Sequence, residues 1–253
     1  MTINTRQIEE AALNAWPALH HFLYDGWILR YSMGYTKRAN SVNPVYPSTI
    51  NLDEKTESCE EAYAKQGLPP IFRLTPLAAD RLDSILEGRG YRKIDPTRVM
   101  LLDLNSWNYA APDDPPLREL PLEQWMGVFS SVSGSVVGKQ PAHAEILQGI
   151  LNPHIMAALE KSGQWLSCGL GVLEQDLFGL FDIITQTNFR NQGLGTTLIA
   201  GMLNWAKSQG AKYSYLQVME NNSVALRLYS RLGYQDLYSY WYRVPGEWSR
   251  NSS

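Results

Sequence analysis

The chain has 253 residues, 44% hydrophobic and 19% charged, long enough for one large domain or two small ones. A formal net charge of -3 gives no electrostatic reason to expect a nucleic-acid partner. No apolar run approaches the roughly 20 residues that a membrane span needs. Two distant cysteines (Cys59, Cys168) and four histidines (His20, His21, His143, His154) offer neither a disulfide framework nor a metal-ligand spacing. The N-terminus, Met1 to Glu10, is polar and lacks the apolar core of a signal peptide. The expectation is a cytoplasmic protein, monomer or homodimer, with no metal and no nucleic-acid or membrane partner.

Along the chain, Trp27 to Tyr31 and Ser41 to Val45 read as strands. Asp53 to Gln66 reads as a helix, with Asp53 as a cap and Gly67 as a stop. Ile71 to Leu74 is a short strand, Ala79 to Glu87 a helix and Arg98 to Leu104 another strand. Asn105 to Arg118, rich in Pro, Asp and Asn, suits an extended linker, because proline fixes φ and removes a donor. A helical region is expected from Leu122 to Lys161, then strands over Gln164–Leu173 and Leu177–Thr185 with a turn at Glu174-Gln175-Asp176. Gly193 to Gln209 carries an apolar helical stripe (Leu194, Leu198, Met202, Ala206) that Gly210 ends. Tyr213 to Met219 is a strand, Ser223 to Leu232 a helix and Tyr238 to Val244 a last strand. On that strand Tyr238, Tyr240 and Tyr242 share a face.

Both halves end in strand, helix, Gly-Tyr, strand. Setting Gly90-Tyr91 against Gly233-Tyr234 reveals a weak internal duplication of architecture. Residues 1–104 form a smaller N-terminal domain on this reading, 105–118 the linker and 119–253 the second domain.

The densest chemical signal runs from Ile183 through Thr185, Arg190 and Gly193 to Gly195-Thr196: a strand, a tight loop and a helix start. Two glycines let the backbone turn sharply and approach a ligand, leaving N–H groups at the positive end of a helix. Arg190 adds a full charge, and a pyrophosphate fits such a place. By spacing alone, plain turn chemistry explains the loop equally well. A P-loop is excluded, since no Gly-Lys-Ser/Thr follows. Leu198 stands where a dinucleotide fingerprint needs its third glycine.

Arg190, Gly193 and Gly195 match the Arg/Gln-x-x-Gly-x-Gly/Ala signature of the GNAT acetyltransferase superfamily, which this stretch resembles. A second segment, Asn222 to Tyr234, resembles that family's Asn-x-x-Ala-x-x-Leu-Tyr-x-x-x-Gly-Phe/Tyr. The resemblance covers residues 164–244 well and the region before them loosely. It implies an α/β (α+β) fold, a mixed central sheet flanked by helices, with a smaller N-terminal GNAT-like domain that has lost its cofactor loop. It implies acetyl-CoA as cosubstrate and no metal. The amides of Gln192, Gly193, Leu194, Gly195 and Thr196 would hold the pyrophosphate, beside Arg190 and Asn191. The main chain of Ile183, Ile184 and Thr185 would pair with the pantetheine arm, with Asn222 and Ala225 also at the cofactor. Tyr229 would protonate the leaving thiolate.

An amine held against an acetyl thioester attacks its carbonyl directly, so positioning supplies most of the acceleration. Asp182 and Glu220 flank the two strands between which the family's thioester sits, and are the carboxylates to test as base. Each has a structural alternative. Tyr229 shares an apolar stripe with Val224, Ala225, Leu228 and Leu232 and could be a core residue. Asn222 suits an N-cap and Gly233 a C-cap. Gly34 to Ser41 could line an acceptor pocket or be a solvated loop. The resulting expectation is acetyl transfer from acetyl-CoA to a primary amine of a small molecule or peptide. A non-catalytic acyl-CoA sensor and a nucleotide-using enzyme are the competing readings.

Overall fold

The computed structural model describes residues 3–109, 112, 114–134 and 141–249. Seven helices and eleven strands among the described residues alternate along the chain. They begin with α1 (Thr5–Ala15), β1 (His20–Tyr24), β2 (Trp27–Tyr31), β3 (Val42–Pro44), α2 (Leu52–Ala64), β4 (Phe72–Leu74), α3 (Leu82–Gly88) and β5 (Arg92–Asp103). They continue with β6 (Leu117–Glu119), α4 (Leu122–Ser133), α5 (Pro141–Gln148), β7 (His154–Lys161), β8 (Gln164–Glu174) and β9 (Leu177–Thr185). The chain closes with α6 (Leu194–Ser208), β10 (Tyr213–Met219), α7 (Ser223–Arg231) and β11 (Gln235–Val244).

All eleven strands join in one sheet, in the order β1-β2-β3-β4-β11-β5-β10-β9-β8-β7-β6. Only β3/β4 and β9/β10 pair in parallel. Both parallel pairs belong to a repeated unit. The run β3-α2-β4-α3-β5 is matched by β9-α6-β10-α7-β11, and the final strand of each run crosses into the other half. β5 inserts between β10 and β11, while β11 inserts between β4 and β5. The expected boundary at residue 104 is therefore bridged by hydrogen-bonded strands.

The duplication is visible at its hinges. Gly90 and Gly233 take φ of 83° and 98°, which only glycine adopts without strain. Tyr91 N–H donates to the Leu86 carbonyl at 3.0 Å, and Tyr234 N–H donates to the Tyr229 carbonyl at 3.1 Å. Leu86 and Tyr229 are equivalent positions, one apolar and one phenolic.

Three hydrophobic clusters hold the layers. α1, α4 and α5 pack on one face of the sheet, with Tyr240 and Tyr242 of β11 and Tyr215 of β10. α6 and α7 pack on the other face against Leu216 and Val218. α2 and α3 cover β2 to β4 with Cys59, Tyr63, Leu82 and Leu86. Both cysteines are free and buried. No helix among the described residues is long and apolar enough to cross a membrane.

Several local expectations need correction. Residues 154–161 are strand β7, not the end of a helical region, and five of the eight side chains are fully enclosed between β6 and β8. Ala and Leu in that segment favour helix, but burial on both faces of a sheet decides the matter. Asn51 rather than Asp53 caps α2, accepting from the Asp53 N–H at 2.9 Å. The polar N-terminus is α1, closed by a capping box between Asn4 and Gln7. Within 105–118, Trp107 is buried against α6 and Leu117 opens β6, while residues 110, 111 and 113 lie outside the described residues.

Candidate active site

β9 and β10 run in register from Leu177/Tyr213 to Leu180/Leu216 and then part. The cause is local. β9 carries a register shift against Cys168 and Leu170 of β8, and Asp182 within it has φ of 48°. A bulge bends and over-twists its strand, so residues 182–185 follow β8 while 217–219 follow β5. A wedge opens between them. Asp182, Ile183, Ile184 and Thr185 are half-buried along one side of it.

The chain leaves β9 through a single 3-10 turn, Thr187–Phe189, and two left-handed residues, Asn191 (φ 61°) and Gly193 (φ 80°). Arg190 is exposed and its Nε donates to the Thr185 carbonyl at 3.2 Å, folding the loop back on the strand. The first hydrogen bond of α6 runs from Thr197 N–H to the Gly193 carbonyl at 3.0 Å. The N–H groups ahead of it, on Leu194, Gly195 and Thr196, face out of the helix end, and no side chain caps it. The two glycines serve different ends. A Cβ on Gly193 would meet nothing within 4 Å, so backbone conformation requires glycine there. A Cβ on Gly195 would stand 3.0 Å from Leu228 Cδ1 and 3.7 Å from Thr185 Oγ1, so packing requires it.

β10 ends at α7, whose N-cap is Asn222; its side-chain oxygen accepts from Ala225 N–H at 3.1 Å. The cap uses the oxygen and leaves the amide N–H groups to donate elsewhere. α7 has no fully buried residue, and Ala225, Leu228 and Tyr229 lie half-buried against the α6 cluster. Tyr229 meets Tyr234 edge-to-face at 5.9 Å, and burial pushes its phenol up to about 12.

The order of parts is thus a bulged strand, an open helix end, a splayed partner strand and a capped helix bearing a protonated phenol. A family model described as "Probable histone acetyltransferase Rv0428c C-terminal" matches residues 2–243. The chain belongs to this family. The "Uncharacterized N-acetyltransferase YobR" of Bacillus subtilis is 26% identical over 245 residues, 94% of this chain and 98% of that protein. The "Probable histone acetyltransferase Rv0428c" of Mycobacterium tuberculosis is 28% identical over 244 residues, 89% of this chain and 69% of that protein. A GCN5-related N-acetyltransferase from Kribbella flavida superposes with a TM-score of 0.71 at 14% identity, over 99% of both chains. The fold is the GNAT fold, and the protein is a GNAT-type acetyltransferase.

In this acetyltransferase the wedge has two chemically distinct sides. Tyr229 and Ile183 lie with α6 and α7. Asp182 points to the opposite face, where its Oδ2 is 2.9 Å from His143 Nε2. His143, on α5, is fully enclosed among the rings of Trp16, Tyr35, Trp125 and Phe129. Tyr35 stacks on the imidazole at 5.2 Å, and its phenol is held above the usual range by burial and then by Asp182. Glu220 sits elsewhere. It is exposed at the end of β10, with its N–H on the Pro96 carbonyl at 2.9 Å and its carboxylate 3.4 Å from Ser239 Oγ, and no hydrogen bond or ion pair joins it to Asp182.

The acetyltransferase's first half closes this second side. A cavity of about 330 Å³ lies between Tyr35, Lys37, Asp95, Met219 and Trp248. Segment 34–41 therefore lines a cavity rather than standing free in solvent. Sequence reasoning did not single out His143, because nothing in its local pattern distinguishes it from a core histidine. Nor did it find Arg73, whose partner Glu9 lies 64 residues away in the chain.

Proposed function

We propose that this acetyltransferase carries an acetyl group from acetyl-CoA to a primary amine by direct attack in a ternary complex. The observation that supports it most is the division of one wedge between Tyr229 on one face and Asp182 on the other. The pyrophosphate would rest on the N–H groups of Gln192 to Thr196, beside Asn191 and Arg190. A cleft of about 680 Å³ opens at that helix end, walled by Phe189, Gln192, Thr196, Lys161 and Gln164, and offers room for the nucleotide. The pantetheine arm would follow Ile183, Ile184 and Thr185 and cover the half-buried apolar side of α7, with the Asn222 amide donating to it.

The amine nitrogen attacks the thioester carbonyl, and the C–S bond breaks as the tetrahedral carbon collapses. Asp182 accepts the amine proton and Tyr229 donates its proton to the departing thiolate. His143 fixes the Asp182 carboxylate by a hydrogen bond and is a positioning residue. Glu220 stands beyond this line and is the weaker candidate for base. Free buried thiols fit a reducing cytoplasm. Thiol release from acetyl-CoA across a panel of amines, with Tyr229→Phe as control, tests the reading. Tight CoA binding without turnover on any amine would overturn it in favour of a sensor.

A further inference from the structure

The cavity of about 330 Å³ beside the wedge has walls from both halves of the chain. The loop before β3 supplies Tyr35 and Lys37, and Asn40 fixes that loop from within. Its Oδ1 accepts from the Ser32 and Gly34 N–H groups at 2.7 and 3.0 Å, while its Nδ2 donates to the Thr36 carbonyl at 2.8 Å. The turn after β11 supplies Trp248, and Arg92 holds that turn. Arg92 Nε donates to the Gly246 carbonyl at 2.8 Å and Nη2 to the Trp248 carbonyl at 2.7 Å. Walls tied in this way are formed before a ligand arrives, which spares it the cost of ordering them.

Two lining residues connect the cavity to the wedge. Met219 is the last residue of β10, the strand that parts from β9. Tyr35 stacks on His143, the partner of Asp182. The cavity thus abuts the place where the thioester would lie.

Its lining is apolar and electrically balanced. Leu68, Pro69, Ile71 and Met219 join the rings of Tyr35 and Trp248. Among the described lining residues the charged ones are Lys37 and Asp95, which pair at 2.9 Å with side chains only 22% and 11% exposed. Lys37 Nζ also lies 5.5 Å from the ring centroid of Tyr242 and 5.4 Å from that of Trp248. The carboxylate and the ring faces that could receive a foreign cation therefore already hold one. A second ammonium buried here would meet Lys37 without a counter-charge, which is costly. Apolar surface gains by leaving water for the same space.

We infer that the cavity takes the uncharged, apolar body of the acceptor, a monoamine bearing an arylalkyl or alkyl group, and that Trp248 is the wall that selects it. The amine nitrogen lies at the Met219 end, towards the wedge. This rests on the proposed acetyl transfer and assigns its substrate class. Polyamines and lysine-rich peptides, which bring further cations, are disfavoured.

The test compares acceptors in the full chain: a series of n-alkylamines, an arylalkylamine, a polyamine and a lysine-rich peptide. Turnover is followed by thiol release and binding by calorimetry in the presence of CoA. KM is expected to fall about tenfold for every two methylene groups buried, until the cavity is filled, with kcat little changed. In Trp248→Ala that gradient should flatten, and KM for the arylalkylamine should rise about tenfold while kcat is kept. Lys37→Met takes the ammonium from Asp95, so the polyamine should gain about tenfold on the monoamine. CoA binding checks that each variant is folded. A KM independent of chain length, a preference for polyamine or peptide in the unaltered chain, or an unchanged series in Trp248→Ala would each overturn the inference. Those outcomes leave acetyl transfer standing if some amine is acetylated. Absence of CoA binding in the unaltered chain would instead overturn the reading beneath it.

Discussion

His143 Nε2 and Asp182 Oδ2 lie 2.9 Å apart, joining a fully enclosed imidazole to a carboxylate that keeps 21% of its side chain exposed. The first group can only orient; the second can meet a substrate. Asp182→Asn tests the difference cleanly, because asparagine tolerates the φ of 48° at this bulge. We expect kcat/KM for the amine to fall about 10²–10⁴-fold, with CoA affinity kept in calorimetry. His143→Phe fills the ring cage and removes the donor, so the fall should be smaller, on the order of tenfold. Glu220→Gln should cost least of the three.

Tyr229→Phe removes a phenol that has no hydrogen-bond partner among the described residues while keeping its ring on Tyr234. Turnover should drop by roughly 10²-fold or more, and CoA should bind as before. The sign of the pH dependence follows from burial, which raises this group to about 12. It stays protonated, and competent as an acid, well above neutrality. The basic limb of kcat should therefore show no loss from Tyr229 between about pH 7 and about pH 10. A pH–rate profile over that range decides the point.

Gly193 and Gly195 should fail in different ways. Gly193→Val places a β-branched residue at φ 80°, costing on the order of 1–3 kcal/mol, and projects a side chain into the open space before α6. We expect CoA binding to be lost while much of the fold survives. Gly195→Leu drives a side chain into Leu228, 3.0 Å from the Cβ position, and should lower the unfolding midpoint as well. Calorimetry with CoA, set beside thermal melts of both variants, separates the two.

The Glu9–Arg73 pair ties α1 to β4, with Tyr238 of β11 donating to the same carboxylate and Tyr240 lying 3.8 Å from the guanidinium. Glu9→Ala leaves a buried, uncompensated cation beside Arg30. A loss of about 3–5 kcal/mol is expected in denaturant unfolding. Removing both partners together, as Glu9→Gln with Arg73→Met, should cost less than the sum of the single changes.

Much of the strand–loop–helix and of α7 was legible because their parts are local in sequence. Gly193, Asn222 and Gly233 each follow from a cap or a turn within a few residues, whereas Gly195 answers to Leu228 across the fold. The internal repeat was legible for the same reason: Gly90-Tyr91 and Gly233-Tyr234 close two helices by the same short-range hydrogen bonds. β7 was not legible, since its propensity is helical and only neighbouring strands make it a strand.

The amino-acid sequence by itself thus determined the GNAT fold class, the strand–loop–helix that opens at Arg190 to Gly195, and the phenol on α7. Tertiary structure alone decided that β5 and β11 change places, that Asp182 faces away from Tyr229, and that His143 meets it from a distant segment. The physical reason is range. Caps, turns and periodicity act over a few residues and leave a pattern in the chain, whereas charge pairing and sheet register join residues that no spacing connects.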